Sequence, residues 1–382
     1  MVLNKKKILL CTDWYEPGFK AGGPIRSCVN FVRHMESDYL IDVLTSDRDL
    51  DAKAPYPGIQ PDCWIAVHEN VRIYYGSRER LHYGDIRRLI REIKPDFIYL
   101  NSMFSKSFTI FPLLGYRKDR LTSKIVLAPR GMLRSSALRF KSLKKRIFLR
   151  IFRAMGFHKT IQFQASDQVE LADIRAHFGS GVKAMLLPNF PGQVVSHTTW
   201  IRKNAGEIKI LFTGRIHPIK NLDFLLELLA AVPWKVELSI VGNLEDAAYW
   251  ERCKAIIGRL PSNIAVNYIG EVPNDQLAAI ITGHHVFCLP TRGENFGHAI
   301  LEALSQGRPS IISDQTPWRH LFEHKAGWDL PLDRPDLFQE AIGQAAQFDQ
   351  DQYDEWSKAT HQFVLSYSSA SELKKDYQKL FS

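Results

Sequence analysis

Short apolar or β-branched runs punctuate this chain, and stretches with helical spacing of apolar positions lie between many of them. The runs fall near 6–12, 40–46, 71–76, 96–101, 124–129, 161–165 and 184–187 in the first half, and near 207–213, 236–241, 264–269, 285–289 and 309–313 in the second. Residues 222–231 (LDFLLELLAA) and 297–306 (GHAILEALSQ) show the helical pattern, and the last segment from Asp354 to Ser382 reads as helical too. Strands that alternate with helices build βαβ units around a parallel sheet. Two such series, split by PNFPGQ at 188–193, predict two doubly wound α/β domains with a Pro/Gly linker between them. Ligands of such sheets bind beyond the carboxyl ends of the strands, so the cleft between two such sheets is the expected site.

Composition sharpens the class. The 382 residues are 45% hydrophobic and 24% charged, as in a globular protein of two domains. No apolar run is long enough to cross a bilayer, and KILLC near the start is too short for a signal segment, so a cytoplasmic protein is expected. The five cysteines are scattered without a C-x-x-C pair, which argues against a disulfide framework or a zinc site.

The formal charge of +9 is concentrated. Between Arg120 and Ser166 there is no Asp or Glu, and twelve Lys and Arg fall there, so the remaining residues sum to −3. Within that window, 138–155 (LRFKSLKKRIFLRIFRAM) places Leu143, Ile147, Ile151 and Met155 at helical spacing, with Phe148 and Phe152 alongside. A basic amphipathic helix suits an anionic membrane surface, through Lys141, Lys144, Lys145, Arg146, Arg150 and Arg153. A helix packed on the sheet with a solvated basic rim accounts for the pattern equally well. No nucleic-acid module accompanies the basicity, so no nucleic-acid partner is expected.

The chemistry concentrates in the second half. GRIHPIKN (214–221) follows a strand and precedes a helix. Arg215 and Lys220 there would meet an anion beside a helix N-terminus, and a guanidinium fork with a mobile ammonium matches a diphosphate. Solvated loop cations are the plain alternative. Gly242, after the next strand, allows close backbone approach. TRGENFGHAILE (291–302) then sets Glu294 in a loop, with Asn295, Phe296 and Gly297 leading into a helix that carries Glu302 among apolar positions. A carboxylate in that setting needs donors, which sugar hydroxyls supply.

These residues resemble a known family. Glu294 to Glu302 is similar to the E-x7-E motif of retaining glycosyltransferases of GT-B fold, and ENFGHAILEALSQGRPSIISDQTPW resembles glycosyltransferase family 4, close to its bacterial cell-surface polysaccharide branch. GRIHPIKN is similar to the family's Arg and Lys pair. YEPGFKAGGPIRS, YLNSMFS, APRGML and LLPN extend the likeness over nearly the whole chain.

The resemblance implies a GT-B fold: an acceptor-side domain over 1–190, a nucleotide-sugar domain over 191–364, and a final helix, about 365–382, crossing back to the first domain. It implies transfer of a sugar from a UDP- or GDP-sugar to a saccharide hydroxyl, the acceptor carried on polyprenyl diphosphate or another lipid. The setting would be assembly of lipopolysaccharide O-antigen, capsule or exopolysaccharide at the inner face of the cytoplasmic membrane. Arg215 and Lys220 would hold the diphosphate, Glu302 the ribose and Glu294 the transferred sugar beside Asn295, Phe296 and Gly297. The base would lie along backbone from Ile269 to Val272, and the glycine loop of Gly22 and Gly23 would face the donor phosphates.

The acceptor side would involve Asn101, Ser102 and Arg130. Many members carry a histidine where NSMFS stands here, and neither Asn101 nor Ser102 is a base at neutral pH. Front-face attack, with the leaving phosphate taking the proton, is the expected course. No cofactor or metal is expected, because the cations neutralise the leaving group. Asp47 and Asp49 of DRDLD form a D-x-D sequence but are expected to be solvated loop residues. An epimerase of the same fold and a non-catalytic nucleotide-sugar binding protein at the membrane are the rival readings.

Overall fold

The computed structural model describes residues 5–134, 137–138, 142–192, 200–367 and 370–382. It divides into one unit of Met1–Phe190 with Ala370–Ser382 and another of Pro191–Ser369.

The first unit is built on eight strands: β1 (Lys7–Cys11), β2 (Leu40–Ser46), β3 (Trp64–His68), β4 (Val71–Gly76), β5 (Phe97–Leu100), β6 (Lys124–Leu127), β7 (Ile161–Ala165) and β8 (Ala184–Leu186). Their order is β3-β4-β2-β1-β5-β6-β7-β8, parallel apart from the β3–β4 pair. The central strands are buried on both faces, which explains their unbroken apolar runs. The edge strand β3 was invisible to the pattern because its residues are half-buried or exposed.

One face of this sheet is covered by the helix Gly23–Met35 and by the C-terminal helix Ala370–Leu380, whose Tyr377 stacks on Phe190 at 4.3 Å between ring centroids. The other face packs against the helices Tyr83–Ile93, Phe111–Asp119, Ser142–Ala154 and Gln168–Phe178.

The second unit holds β9 (Glu207–Thr213), β10 (Lys235–Val241), β11 (Ile264–Gly270), β12 (Val286–Leu289), β13 (Ser310–Ser313) and β14 (Gly327–Leu330). They form a parallel sheet in the order β11-β10-β9-β12-β13-β14. Each sheet therefore has one topological switch point, where the chain stops adding strands on one side and begins on the other. It lies between β1 and β5 in the first unit and between β9 and β12 in the second.

One expectation is corrected. Asp47 and Asp49 are buried rather than solvated. Asp47 accepts from Arg48 Nε at 2.7 Å, and Asp49 accepts the backbone N–H groups of Phe19, Lys20 and Leu50 at 2.7, 3.1 and 2.7 Å. Asp49 thus ties down the segment leading to Gly22 and Gly23, and its hydrogen bonds explain a buried carboxylate without a metal.

The basic helix, for which membrane contact and sheet packing are equal readings of the sequence, is described from Ser142 to Ala154. Its buried positions are Leu149 and Phe152, with Phe148 partly buried against Phe104. Leu143, Ile147 and Ile151 of the predicted apolar stripe are 67%, 47% and 53% exposed. Sheet packing therefore accounts for one side of the helix and leaves this apolar line uncovered among the described residues.

Candidate active site

In the second unit, the residues that the motifs singled out lie in and after the loops that follow β9, β10, β11 and β12. Gly242 faces the carbonyl of Gly214 so closely that a Cβ on residue 242 would lie 1.9 Å from that oxygen. Its φ of 147° also disfavours any side chain. The close approach lets the loops after β9 and β10 pair for one further rung: Ile216 N–H donates to Asn243 O at 2.8 Å, and Asp246 N–H to Ile216 O at 3.1 Å. Arg215 and Glu245 project from this rung, and Arg215 Nη1 donates to Glu245 Oε2.

Lys220 ends a 3-10 turn, Pro218–Lys220, which is capped by His217 Nδ1 accepting the Ile219 N–H at 3.2 Å. Burial pushes the His217 imidazole below its usual pKa, which favours the neutral ring that accepts this N–H. The loop after β12 is stitched to this turn. Thr291 Oγ1 and the Arg292 N–H both donate to Ile219 O, at 3.0 and 2.7 Å, and Arg292 Nε donates to Asn221 Oδ1 at 3.0 Å. The result is that Lys220 Nζ donates to Glu294 Oε1, with side chains only 16% and 13% exposed.

Past Glu294, Phe296 is buried and its carbonyl accepts from Trp318 Nε1 at 2.7 Å. Gly297, at φ 78°, caps the helix His298–Ser305, and a Cβ there would press on Ile300 and Trp318. The Asn295 side-chain oxygen is buried without a hydrogen-bond partner among the described residues. An orphaned buried acceptor is costly and invites a donor from outside the chain. Glu302 is half-buried in the helix.

Ile269 and Val272 flank Gly270, whose carbonyl accepts the Gly242 N–H at 2.9 Å, and Tyr268 Oη donates to Gly242 O at 2.8 Å. The segment thus adjoins the Gly242 turn.

In the first unit, Arg130 binds neutral oxygens: Asn101 Oδ1 from Nε at 3.2 Å, the Tyr99 hydroxyl from Nη2 at 2.8 Å, and Asn189 Oδ1. Tyr99 is bonded onward to Gln164, which donates to Leu187 O and to the Tyr377 hydroxyl. Arg130 and Asn101 are therefore joined, in a network that also anchors the C-terminal helix. Ser102 is buried, with Oγ 3.6 Å from Met132 Sδ. Gly22 caps the helix Gly23–Met35.

Lys144, Arg146, Arg150 and Arg153 are exposed on the basic helix, whereas Lys145 donates to Ala137 O at 2.7 Å; Lys141 lies outside the described residues. Motif reasoning missed Glu245, because a single acid after a glycine turn carries no pattern. It also missed Asp13, which follows β1 and accepts from Ser105 Oγ at 2.7 Å across 92 residues.

Residues 200–363 match the family model described as glycosyl transferases group 1. The phosphatidyl-myo-inositol mannosyltransferase of Mycobacterium tuberculosis is 32% identical over 134 residues, 34% of each chain. The O-antigen chain mannosyltransferase B of Escherichia coli is 30% identical over 112 residues, 28% of each chain. The matched segment thus spans about a third of the length of these relatives. Among solved structures, Anabaena HepE in complex with UDP-glucose superposes with a TM-score of 0.68 at 14% identity, covering 98% of this chain and 99% of that one. The fold is GT-B.

Proposed function

We propose, from the premise that residues 200–363 belong to the glycosyl transferases group 1 family and that the fold is GT-B, that this chain is a retaining, metal-independent glycosyltransferase. It moves a sugar from a UDP- or GDP-sugar to a hydroxyl of a lipid-linked saccharide during assembly of a bacterial surface polysaccharide. The observation that carries the reading is the Lys220–Glu294 contact, which brings the two halves of the motif to one switch point.

The chemistry follows from charge. Breaking the bond between sugar and diphosphate leaves negative charge on the departing oxygens. In this reading Arg215 and Lys220 are the cations that meet it, and preorganised charges of this kind are among the largest catalytic contributions available. Each holds a carboxylate, Glu245 and Glu294 respectively, so a diphosphate takes over those contacts as it binds. Glu294, released from Lys220, then accepts sugar hydroxyls, and the orphaned Asn295 oxygen gains a donor. Glu302 receives the ribose hydroxyls, and the segment from Ile269 to Val272 receives the base.

Membrane attachment is part of the proposal. Leu143, Ile147 and Ile151 form an exposed line flanked by Lys144, Arg146, Arg150 and Arg153, a pattern that fits the interface of an anionic bilayer. Among the described residues no helix is long and apolar enough to cross a membrane.

The test is calorimetric titration with UDP-glucose, UDP-galactose, UDP-N-acetylglucosamine and GDP-mannose. One of them binds, and Arg215→Ala weakens that binding. Failure of all four to bind would remove the reading.

A further inference from the structure

The first unit has its own switch point, between the carboxyl ends of β1 and β5. Backbone pairing runs up to it: Asn101 N–H donates to Cys11 O at 3.0 Å, and Thr12 N–H to Leu44 O at 3.1 Å. Asp13 is the next residue on one side, and Ser102 and Ser105 lie in the loop on the other. Sheets of this kind place ligands at such crevices, and in the second unit the motif residues already do so.

Asp13 is a half-buried carboxylate, and no ion pair involves it among the described residues. Its Oδ1 accepts from Ser105 Oγ. The Ser105 oxygen in turn accepts the Phe108 N–H at 3.1 Å, so its single hydroxyl proton is committed to Asp13. The carboxylate is therefore held in one orientation by a locked donor and has acceptor capacity left over. Burial raises its pKa, against hydrogen bonds from Ser105 and Ser102 that lower it. The titratable side chain coupled to it is the Cys28 thiol of the helix Gly23–Met35, which burial keeps neutral and which also feels Arg130. A partly desolvated carboxylate without a cation, fixed at a switch point, has the features of a ligand-binding group.

We propose that Asp13 is a substrate-binding carboxylate: the hydroxyl of the saccharide acceptor that receives the sugar docks at the β1–β5 switch point and donates to Asp13, which Ser105 holds in place. This rests on the glycosyltransferase reading above. The chemical class is a neutral polyol presenting a hydroxyl donor. The ionised carboxylate is the stronger acceptor, so binding weakens as Asp13 takes up a proton.

The experiment uses the full chain with octyl glycosides of mannose, glucose, galactose and N-acetylglucosamine as acceptor probes, and the nucleotide sugar that the wild type binds as donor. Asp13→Asn keeps the shape and the Ser105 contact but turns an amide toward the ligand. Expected are a loss of at least ~10-fold in kcat/KM for the glycoside, unchanged donor affinity by calorimetry, and disappearance of the acidic limb of the pH profile. Ser105→Ala, the second variant, moves that limb to higher pH, since it removes a donor that favours the ionised form. A merely structural role would leave both profiles like the wild type after correction for folded fraction. Wild-type kinetics in Asp13→Asn, or no difference between it and the wild type in glycoside binding by saturation-transfer NMR, overturns the proposal. Because donor affinity is read separately, that failure is distinct from a chain that binds no nucleotide sugar.

Discussion

Lys220 and Glu294 form an ion pair across 74 residues, and both side chains are largely buried at the switch point between β9 and β12. A cation suited to a diphosphate is thus already next to a carboxylate suited to a sugar. Neither charge is buried unpaired, because each satisfies the other.

Lys220→Ala is expected to lower kcat/KM for the nucleotide sugar by about 100-fold or more, the scale for loss of one preorganised charge at a leaving group. Arg215→Ala acts in the same direction. The readout is release of nucleoside diphosphate against donor concentration, with thermal melts to establish that the variants are folded.

Gly242→Ala is expected to destabilise the second unit by about 3–5 kcal/mol, because a Cβ 1.9 Å from Gly214 O forces the two loops apart. The same displacement would break the rung that carries Arg215, so donor affinity falls as well. Denaturant unfolding and donor calorimetry check the two effects.

Stability is expected to fall as pH drops below neutrality, in part through His285. Its Nδ1 accepts the Lys209 N–H and its Nε2 donates to Arg202 O, both at 2.9 Å, so the folded chain requires a neutral ring. Burial, aided by nearby Lys203, Lys209 and Arg308, pushes its pKa down to about 4. Between that value and about 6.5 the unfolded chain binds more protons than the folded one, so stability rises with pH through this window. This residue's share is about 3 kcal/mol, lost as pH falls from 7 toward 4. Unfolding midpoints across that range, compared with His285→Gln, isolate it.

Replacing Leu143, Ile147 and Ile151 together by Ser is expected to weaken binding to phosphatidylglycerol vesicles by at least ~10-fold and to leave the melting temperature within a degree or so. These side chains are exposed, so the folded core loses little by the change. A large drop in stability would instead mark them as packing residues. Flotation of vesicles and a thermal melt separate the outcomes.

The β-strand and helix pattern was legible because its causes are local. Double burial leaves apolar runs in β1, β5 and β12, and the glycine turns are marked by their own chemistry. Two strands escaped. β3 lies on an exposed edge, and GWDL of β14 holds a glycine that the sheet needs for contact, since a Cβ at Gly327 would meet Ser310 O at 2.0 Å.

The sequence by itself determined which elements form and which residue types stand at the loop positions, including Arg215, Lys220, Glu294 and Glu302. Only the tertiary structure decided which loops meet. Strand order places the loops after β10 and β12 on either side of the one after β9, and the loops after β1 and β5 side by side, so Glu245 finds Arg215, Glu294 finds Lys220 and Ser105 finds Asp13. It also buried Asp47 and Asp49 and selected the face of the basic helix that packs. Such pairings join distant residues through sheet topology and through competition among faces for the core, and no single stretch of sequence contains either.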